Sequence, residues 1–91
     1  MRFYKLFILS TNSFGEFGVD SEIYRSADFA MKKGMEIYNC NDNVTGYVVV
    51  EVKDDSWRVI YQSVEEQVDY TVCENNGRIW IQEGMDQIVM V

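Results

Sequence analysis

Residues 2–10 read RFYKLFILS. The aromatic and aliphatic residues of this stretch predict a β-strand. Apolar residues occupy both alternating sets: Tyr4, Leu6 and Ile8 on one face, and Phe3, Phe7 and Leu9 on the other. A strand that is apolar on both faces is typical of an inner strand covered from two sides. We therefore expect either an inner strand of the domain or a strand whose second face meets a partner.

The residues that follow predict a hairpin partner for this strand. Thr11-Asn12-Ser13, with Gly15 close behind, has the composition of a turn. Residues 16–24 then alternate, with Phe17, Val19 and Ile23 on one face and Glu16, Asp20 and Glu22 on the other. This alternation predicts a strand with one solvated face, paired with the first strand.

A single helix is predicted next, from Ser26 to about Asn39. Ser26 is a suitable N-cap, and Asp28 falls in the first turn, where a negative charge favours the helix dipole. Apolar or small residues recur every three or four positions: Ala27, Ala30, Met31, Gly34, Met35 and Tyr38. This spacing predicts an amphipathic helix packed on a sheet. Gly34 lowers helix propensity by about 1 kcal/mol, and its place in the stripe indicates a close approach between helix and sheet.

The second half of the chain predicts three to five more strands, at residues 46–53, 57–63, 68–72, 78–83 and 86–91. Apolar residues share a face in the first two: Val48, Val50 and Val52, then Trp57, Val59 and Tyr61. Asn76-Gly77 is the strongest short hairpin signal, because both residues accept a positive φ. The predicted fold is α+β: one domain over residues 1–91, with a single helix packed on a mainly antiparallel sheet in the order ββαβββ(β).

Composition excludes several kinds of active site. The 91 residues contain no histidine, which excludes a His-based triad and an imidazole metal ligand. Two cysteines cannot form a four-thiolate zinc site. The loop Asn39–Asn43 has oxygen ligands at alternate positions but lacks the core of a calcium loop. The glycines form no phosphate-binding loop. We expect no enzymatic activity, no metal and no cofactor.

The N-terminal stretch and the cysteines bear on location. The apolar run Leu6–Leu9 is too short for a secretory signal, and no stretch reaches the roughly 18 apolar residues of a membrane span. We expect a soluble cytoplasmic protein in which Cys40 and Cys73 are reduced thiols.

Acidic charge is concentrated in the second half of the chain. The net charge is −7; residues 1–50 hold six acids and five bases, and residues 51–91 hold nine acids and three bases. This balance argues against direct binding to nucleic-acid phosphates, which requires a basic face. Carboxylates on one strand face lie about 6.8 Å apart, which is twice the phosphate rise of about 3.4 Å in a DNA strand. A row of acids could therefore imitate phosphates in a basic groove.

Two such rows are candidates, namely Glu16, Asp20 and Glu22, and Glu65 with Asp69. The alternative is that these carboxylates are only the solvated side of the sheet. The adjacent pairs Asp54/Asp55 and Glu65/Glu66 do not predict a catalytic dyad, because neighbouring residues of a strand point to opposite faces. We interpret both pairs as turn residues.

The chain has thirteen aromatic residues, and core packing is the expected role of any single ring. In so small a domain, one or two of the thirteen are also expected in a contact surface. Tyrosine and tryptophan dominate binding hot spots. We therefore predict a partner-binding surface that combines an acidic sheet face with an aromatic anchor. Its predicted residues are Glu65, Glu66, Asp69, Glu74 and Trp80.

The layout resembles small phage-encoded inhibitors of bacterial defence, including some anti-CRISPR proteins. The resemblance consists of an N-terminal hairpin (residues 2–24), a helix entered through Ser26-Ala27-Asp28-Phe29-Ala30, and a meander of strands from Gly46 to Glu83. It implies a binding protein that blocks a larger nucleic-acid enzyme or its ligand in the host cytoplasm. It assigns no role to any individual residue.

Two functions from different classes remain. The first is a non-enzymatic inhibitor that binds a protein partner, most concretely a phage-type protein that occupies the nucleic-acid groove of a host defence complex. The alternative is a self-associating structural or accessory subunit, in which the first strand or the apolar tail Ile88-Val89-Met90-Val91 forms a homodimer. A third possibility, a carboxylate-based ligand-binding or catalytic domain, needs a pocket with two convergent acids, which the alternation does not predict.

Overall fold

The computed structural model describes residues 1–84, which form six strands and one helix. The elements are β1 (Phe3–Thr11), β2 (Phe17–Tyr24), α1 (Ala27–Cys40), β3 (Val44–Val52), β4 (Trp57–Val64), β5 (Tyr70–Asn75) and β6 (Arg78–Glu83). All strand pairs are antiparallel. The predicted α+β class, with one helix after the first two strands, is confirmed. The strand predicted at residues 86–91 lies outside the described residues.

The strands form two sheets rather than one. The larger sheet has the order β2-β1-β3-β4, and β5 and β6 form a separate hairpin. In the larger sheet β1 pairs with β2 along one edge and with β3 along the other. Helix α1 packs on one face of this sheet, and the β5–β6 hairpin packs on the other. The interpretation of residues 2–10 as an inner strand is therefore confirmed: within residues 1–84, β1 is paired along both edges and packed on both faces.

Two apolar clusters hold the three layers together. The helix side contains Leu6, Ile8, Ala30, Val44, Tyr47 and Val49. The hairpin side contains Phe7, Leu9, Val48, Val50, Val52, Ile79 and Ile81. Because successive residues of a strand point to opposite faces, β1 and β3 contribute to both clusters. Burial of one such side chain contributes about 1.5–3 kcal/mol, so the two central strands supply most of the packing energy.

Polar contacts also attach the hairpin to the larger sheet. The Lys5 ammonium donates a hydrogen bond of 2.8 Å to the carbonyl oxygen of Ile79 and lies 5.2 Å from the centre of the Phe7 ring. Burial, together with the charge of Arg78, lowers the pKa of Lys5. The Tyr70 hydroxyl donates to the side-chain oxygen of Gln62 in β4. The hairpin is thus fixed above both β1 and β4.

The helix begins as predicted, and most of the predicted stripe packs on the sheet, with Ile37 in it and Met35 outside it. Ser26 is the N-cap and accepts a hydrogen bond from the N–H of Phe29. Ala30 and Gly34 are buried, and Met31 and Tyr38 pack against the helix-side cluster, as predicted. Ile37, which was not in the predicted stripe, packs there as well. Met35 is 51% exposed, so its place in the stripe was wrong. Because the helix lies over β1 and β3, the side that carries Ala30, Gly34 and Ile37 faces the sheet.

A β-bulge changes the predicted face of one aromatic residue. In the β3–β4 ladder Val49 pairs with Tyr61 and Val50 pairs with Val59, which leaves Ile60 as an extra residue. Tyr61 therefore lies on the helix side, where its ring stacks on Tyr47 at a centroid distance of 5.4 Å. Val59 stays on the hairpin side. The prediction that Trp57, Val59 and Tyr61 share a face was wrong at Tyr61, because a bulge reverses the alternation.

The turn between β5 and β6 follows the prediction for Asn-Gly. Asn76 has φ 53° and Gly77 has φ 79°, the pair of positive values that a two-residue hairpin requires. In the region that the structure describes, no helix has both the length and the apolar character needed to cross a membrane.

The contact between Gly34 and Tyr47 gives a stability prediction. A Cβ atom at position 34 would overlap the Tyr47 ring, which is only 3% exposed and lies between the rings of Tyr38 and Tyr61. Overpacking costs roughly 1–3 kcal/mol, more than the gain of about 1 kcal/mol in helix propensity. Gly34→Ala is therefore expected to lower the Tm in thermal unfolding, whereas Lys32→Ala on the exposed helix face leaves it nearly unchanged. A higher Tm for Gly34→Ala would contradict the close contact.

Candidate functional site

The sheet topology gathers six carboxylates at one end of the molecule, which we call the acidic end. These residues are Glu16, Asp42, Glu65, Glu66, Asp69 and Glu83. They lie in the β1–β2 loop, the α1–β3 loop, the β4–β5 connection and the last position of β6. Backbone hydrogen bonds join these segments: Thr11 N–H to the Asn43 carbonyl, Glu65 N–H to the Thr45 carbonyl, and Gly84 N–H to the Asp69 carbonyl. Residues far apart in sequence thus share one surface.

The acidic end accounts for the net charge of the described chain. The chain has 15 acids and 8 bases, and one acid, Asp86, lies outside the described residues. Of the fourteen acids that remain, six are at the acidic end, so the other eight equal the eight bases in number. Most of the bases lie at the opposite end, which we call the base-bearing end: Arg2, Arg25, Lys53, Arg58 and Arg78.

The carboxylates of the acidic end are available to a partner. Five of the six are exposed, and Glu65 is half-buried. Among residues 1–84, no ion pair involves any of the six. Unpaired surface carboxylates keep their full attraction for a cation that approaches from outside. The acidic end is therefore suited to contact a basic surface.

An exposed phenylalanine projects beside these carboxylates. Phe14, in the β1–β2 loop, is 87% exposed. The Asn12 side-chain oxygen accepts hydrogen bonds of 2.9 Å from the N–H groups of Phe14 and Glu16, and its amide donates to the Glu16 carboxylate at 2.8 Å. Gly15 completes the turn with φ 80°. This network holds the loop in one shape, so Phe14 is presented to solvent at little further entropy cost on binding.

A cleft opens between the two sheets at the acidic end. Its volume is about 430 Å³, and the ring of Phe17 and the side chain of Val68 contribute apolar surface to its wall. Asp69 and Glu83 also line it. The combination of apolar wall and carboxylates matches the aliphatic stem and charged head of a basic side chain.

The structure separates the predicted partner-binding residues into two groups. Glu65, Glu66 and Asp69 lie together at the acidic end. Glu74 is the penultimate residue of β5, at the other end of the hairpin and about 17 Å along the strand from Asp69. Its carboxylate accepts a hydrogen bond from the N–H of Gly77. Trp80 is half-buried on the outer hairpin face opposite Cys73. One surface combining all five residues is therefore not formed.

The other predicted acidic row is also divided. Asp20 and Glu22 lie on the helix-side face of β2 and line a cleft of about 490 Å³ beside α1. Glu22 accepts a hydrogen bond of 2.7 Å from the Tyr24 hydroxyl. Glu16 precedes β2 and belongs to the acidic end instead. Phe14 is not among the predicted site residues, although its position between Asn12 and Gly15 in a turn indicates exposure.

A buried carboxylate at the base-bearing end was also missed. Glu51, in β3, is 6% exposed. Its carboxylate accepts a hydrogen bond of 3.1 Å from Arg58. The Lys53 ammonium nitrogen lies 3.7 Å from one carboxylate oxygen, and the Arg2 guanidinium Nε lies 3.9 Å from the other. Burial by itself raises the pKa of Glu51. The opposing effect is larger: the hydrogen bond from Arg58 and the positive charges of Arg58, Lys53 and Arg2 hold the pKa below its ordinary value of 4.5. Glu51 is therefore an ionised structural anchor.

Other chemistry-bearing groups of the described residues do not converge. Within residues 1–84 no three His, Cys, Asp or Glu side chains are arranged to hold a metal ion. Cys40 and Cys73 are free thiols, one exposed and one half-buried. Burial and the neighbouring Tyr61 hydroxyl raise the pKa of Tyr47 to about 12, so this hydroxyl stays protonated at neutral pH.

Glu51 makes the stability of the protein depend on pH. Its pKa is lower in the folded state than its ordinary value of 4.5, so its stabilising effect is complete above pH 4.5 and is lost as the pH falls through the folded-state value. Glu51→Gln is expected to lower the free energy of unfolding at neutral pH, and the difference from wild type should shrink under acid.

Chemical denaturation at a series of pH values measures this difference. Glu36→Gln is the control, because Glu36 is exposed and its one ion-pair partner within residues 1–84 is Lys33, at 3.6 Å. An effect of Glu51→Gln that is independent of pH, or no larger than that of the control, would contradict the role of Glu51.

No protein-family model matches the chain, and neither a curated protein nor a solved structure shows significant similarity to it. The acidic end is therefore interpreted from its own charge, exposure and geometry.

Proposed function

We propose that this protein is a non-enzymatic binding protein that docks its acidic end on a basic surface of a protein partner. The observation that carries the proposal is the location of charge. Six carboxylates without an ion-pair partner in residues 1–84 lie at one end, while acids and bases elsewhere in that range are equal in number. A solvated sheet face needs no such concentration, because its polar residues can be of either sign.

The most concrete form of this function is inhibition of a nucleic-acid-binding complex. Lys and Arg side chains line the grooves that hold nucleic acid, where they neutralise phosphates. A protein that presents six carboxylates there would compete with the nucleic acid for the same cations. The architectural resemblance to anti-CRISPR proteins supports a CRISPR-like defence complex as the target and the host cytoplasm as the site of action.

The acidic end differs from a simple row of phosphates. Its carboxylates come from three connections and one strand end, and so they form a cluster rather than a line along one strand. Phe14 stands at the margin of this cluster and supplies apolar contact area that phosphates lack. Aromatic anchors of this kind carry much of the energy of protein interfaces. This combination favours a protein surface as the ligand.

Charge reversal at each end of the molecule tests this function. Glu66→Lys with Asp69→Lys changes two exposed carboxylates at the acidic end, and Asp54→Lys with Asp55→Lys makes the same change of net charge at the base-bearing end. Immobilised wild-type protein captures binding partners from a bacterial lysate, and the affinity of a purified partner is then measured for each variant. We expect at least about a tenfold loss for the acidic-end variant alone.

Two results would oppose the proposal. Equal losses for both double variants would mean that net charge, rather than its location, controls binding. Unchanged affinity for Glu66→Lys with Asp69→Lys would exclude the acidic end as the contact surface. For the inhibitor form, added nucleic acid should displace the partner, and a partner that binds both together would exclude competition.

Phe14 provides an independent test of the same surface. Phe14→Ala is expected to weaken partner binding by about tenfold or more, because a buried aromatic anchor contributes over 1 kcal/mol. The free energy of unfolding should change by less than about 0.5 kcal/mol, since the side chain is solvated. Phe29→Ala is the control, because Phe29 is 68% exposed on α1, away from the acidic end. Equal affinities for wild type and Phe14→Ala would limit the contact to the carboxylates.

A further inference from the structure

We propose that the free edge of β4 is a self-association site, where β4 of a second copy of this chain pairs with it in antiparallel orientation. β4 is the outermost strand of the larger sheet and pairs only with β3 among residues 1–84. The β5–β6 hairpin forms its own sheet and does not extend this edge. An open edge strand presents unpaired N–H and C=O groups that another strand can join.

The side chains of β4 suit such a contact. Trp57, Val59 and Tyr61 are each 37% exposed. Val59 is on the hairpin side and Tyr61 is on the helix side, so a neighbouring strand would cover apolar area on both faces of the sheet. Cross-strand pairs of aromatic and β-branched residues stabilise adjacent strands.

Charge distinguishes β4 from the other edge of the same sheet. The only charged residue of β4 is Arg58, which is already hydrogen-bonded to Glu51. β2, at the opposite edge, carries Asp20 and Glu22. Pairing of β2 with β2 of another copy would bring these carboxylates together, and like charges on adjacent strands are destabilising. In a chain of net charge −7, β4 is the edge that a second copy can approach.

The distribution of charge along β4 also selects the antiparallel orientation. Arg58 lies at the start of β4 beside Lys53, and Glu65 and Glu66 follow its last residue. A two-fold axis perpendicular to the sheet reverses the second strand. The start of each β4, where Arg2, Lys53 and Arg58 surround the single carboxylate of Glu51, then lies beside the end of the other β4, which Glu65 and Glu66 follow. A second copy is therefore complementary in charge as well as in strand edge.

Molar mass measured by light scattering tests this assignment. The wild-type chain is expected at about twice the 10.7 kDa of one copy. Val59→Lys should reduce the mass to that of one chain, because it introduces like charges on both sides of the two-fold axis. Ile23→Lys is the matched control: Ile23 is 64% exposed on β2 and is also on the hairpin side. This variant should remain dimeric.

Hydrogen exchange of the wild-type chain keeps the test decisive if Val59→Lys does not fold. Amide hydrogens on the outer edge of β4 should exchange more slowly at high than at low protein concentration, while those of β2 should not change. A wild-type chain of 10.7 kDa over the whole concentration range would overturn the proposal. Protection of β4 that is independent of concentration would mean a different occupant, and dissociation by Ile23→Lys alone would assign the contact to β2.

Discussion

Burial of both faces of β1 and β3 is the constraint on which the rest of this structure depends. On one face of these strands, apolar side chains such as Leu6 and Val49 must be covered by another layer. On the other face, side chains such as Phe7 and Val48 must be covered as well. A single helix can satisfy only one of these faces. The chain therefore uses its last described strands as a further layer, and the β5–β6 hairpin packs on the second face of the larger sheet instead of extending it. Three layers give this small domain two apolar clusters.

The same antiparallel topology arranges the charges. Each connection returns the chain to one of two ends, so the polar residues of alternate connections meet there. The connections at one end contain glutamate and aspartate without lysine or arginine, and those at the other contain both signs. The acidic end therefore follows from the position of the connections, because five of its six carboxylates lie in connections and only Glu83 belongs to a strand.

The helix, strands and turns were predicted well because their signals lie in neighbouring residues. Features that depend on contacts between residues far apart in sequence could not be predicted. The Ser26 cap, the Asn76-Gly77 turn and the alternation around Val48 depend on neighbouring residues, and all three appear as expected. The bulge at Ile60 depends on pairing with β3, and the separation into two sheets depends on which faces need cover. The turn position of Glu65 and Glu66 was predictable. Their proximity to Asp42 and Glu16 was not, because only the order of strands brings these loops together.

Because six carboxylates are concentrated at one end while acids and bases balance in the rest of residues 1–84, the protein has a permanent electric dipole. Within roughly one Debye length, about 8 Å in physiological salt, a positively charged surface would rotate the molecule so that its acidic end arrives first. Orientation before contact raises the fraction of encounters that are productive. Salt would then act chiefly on the rate of association, while the apolar contact made by Phe14 would govern how long a complex lasts.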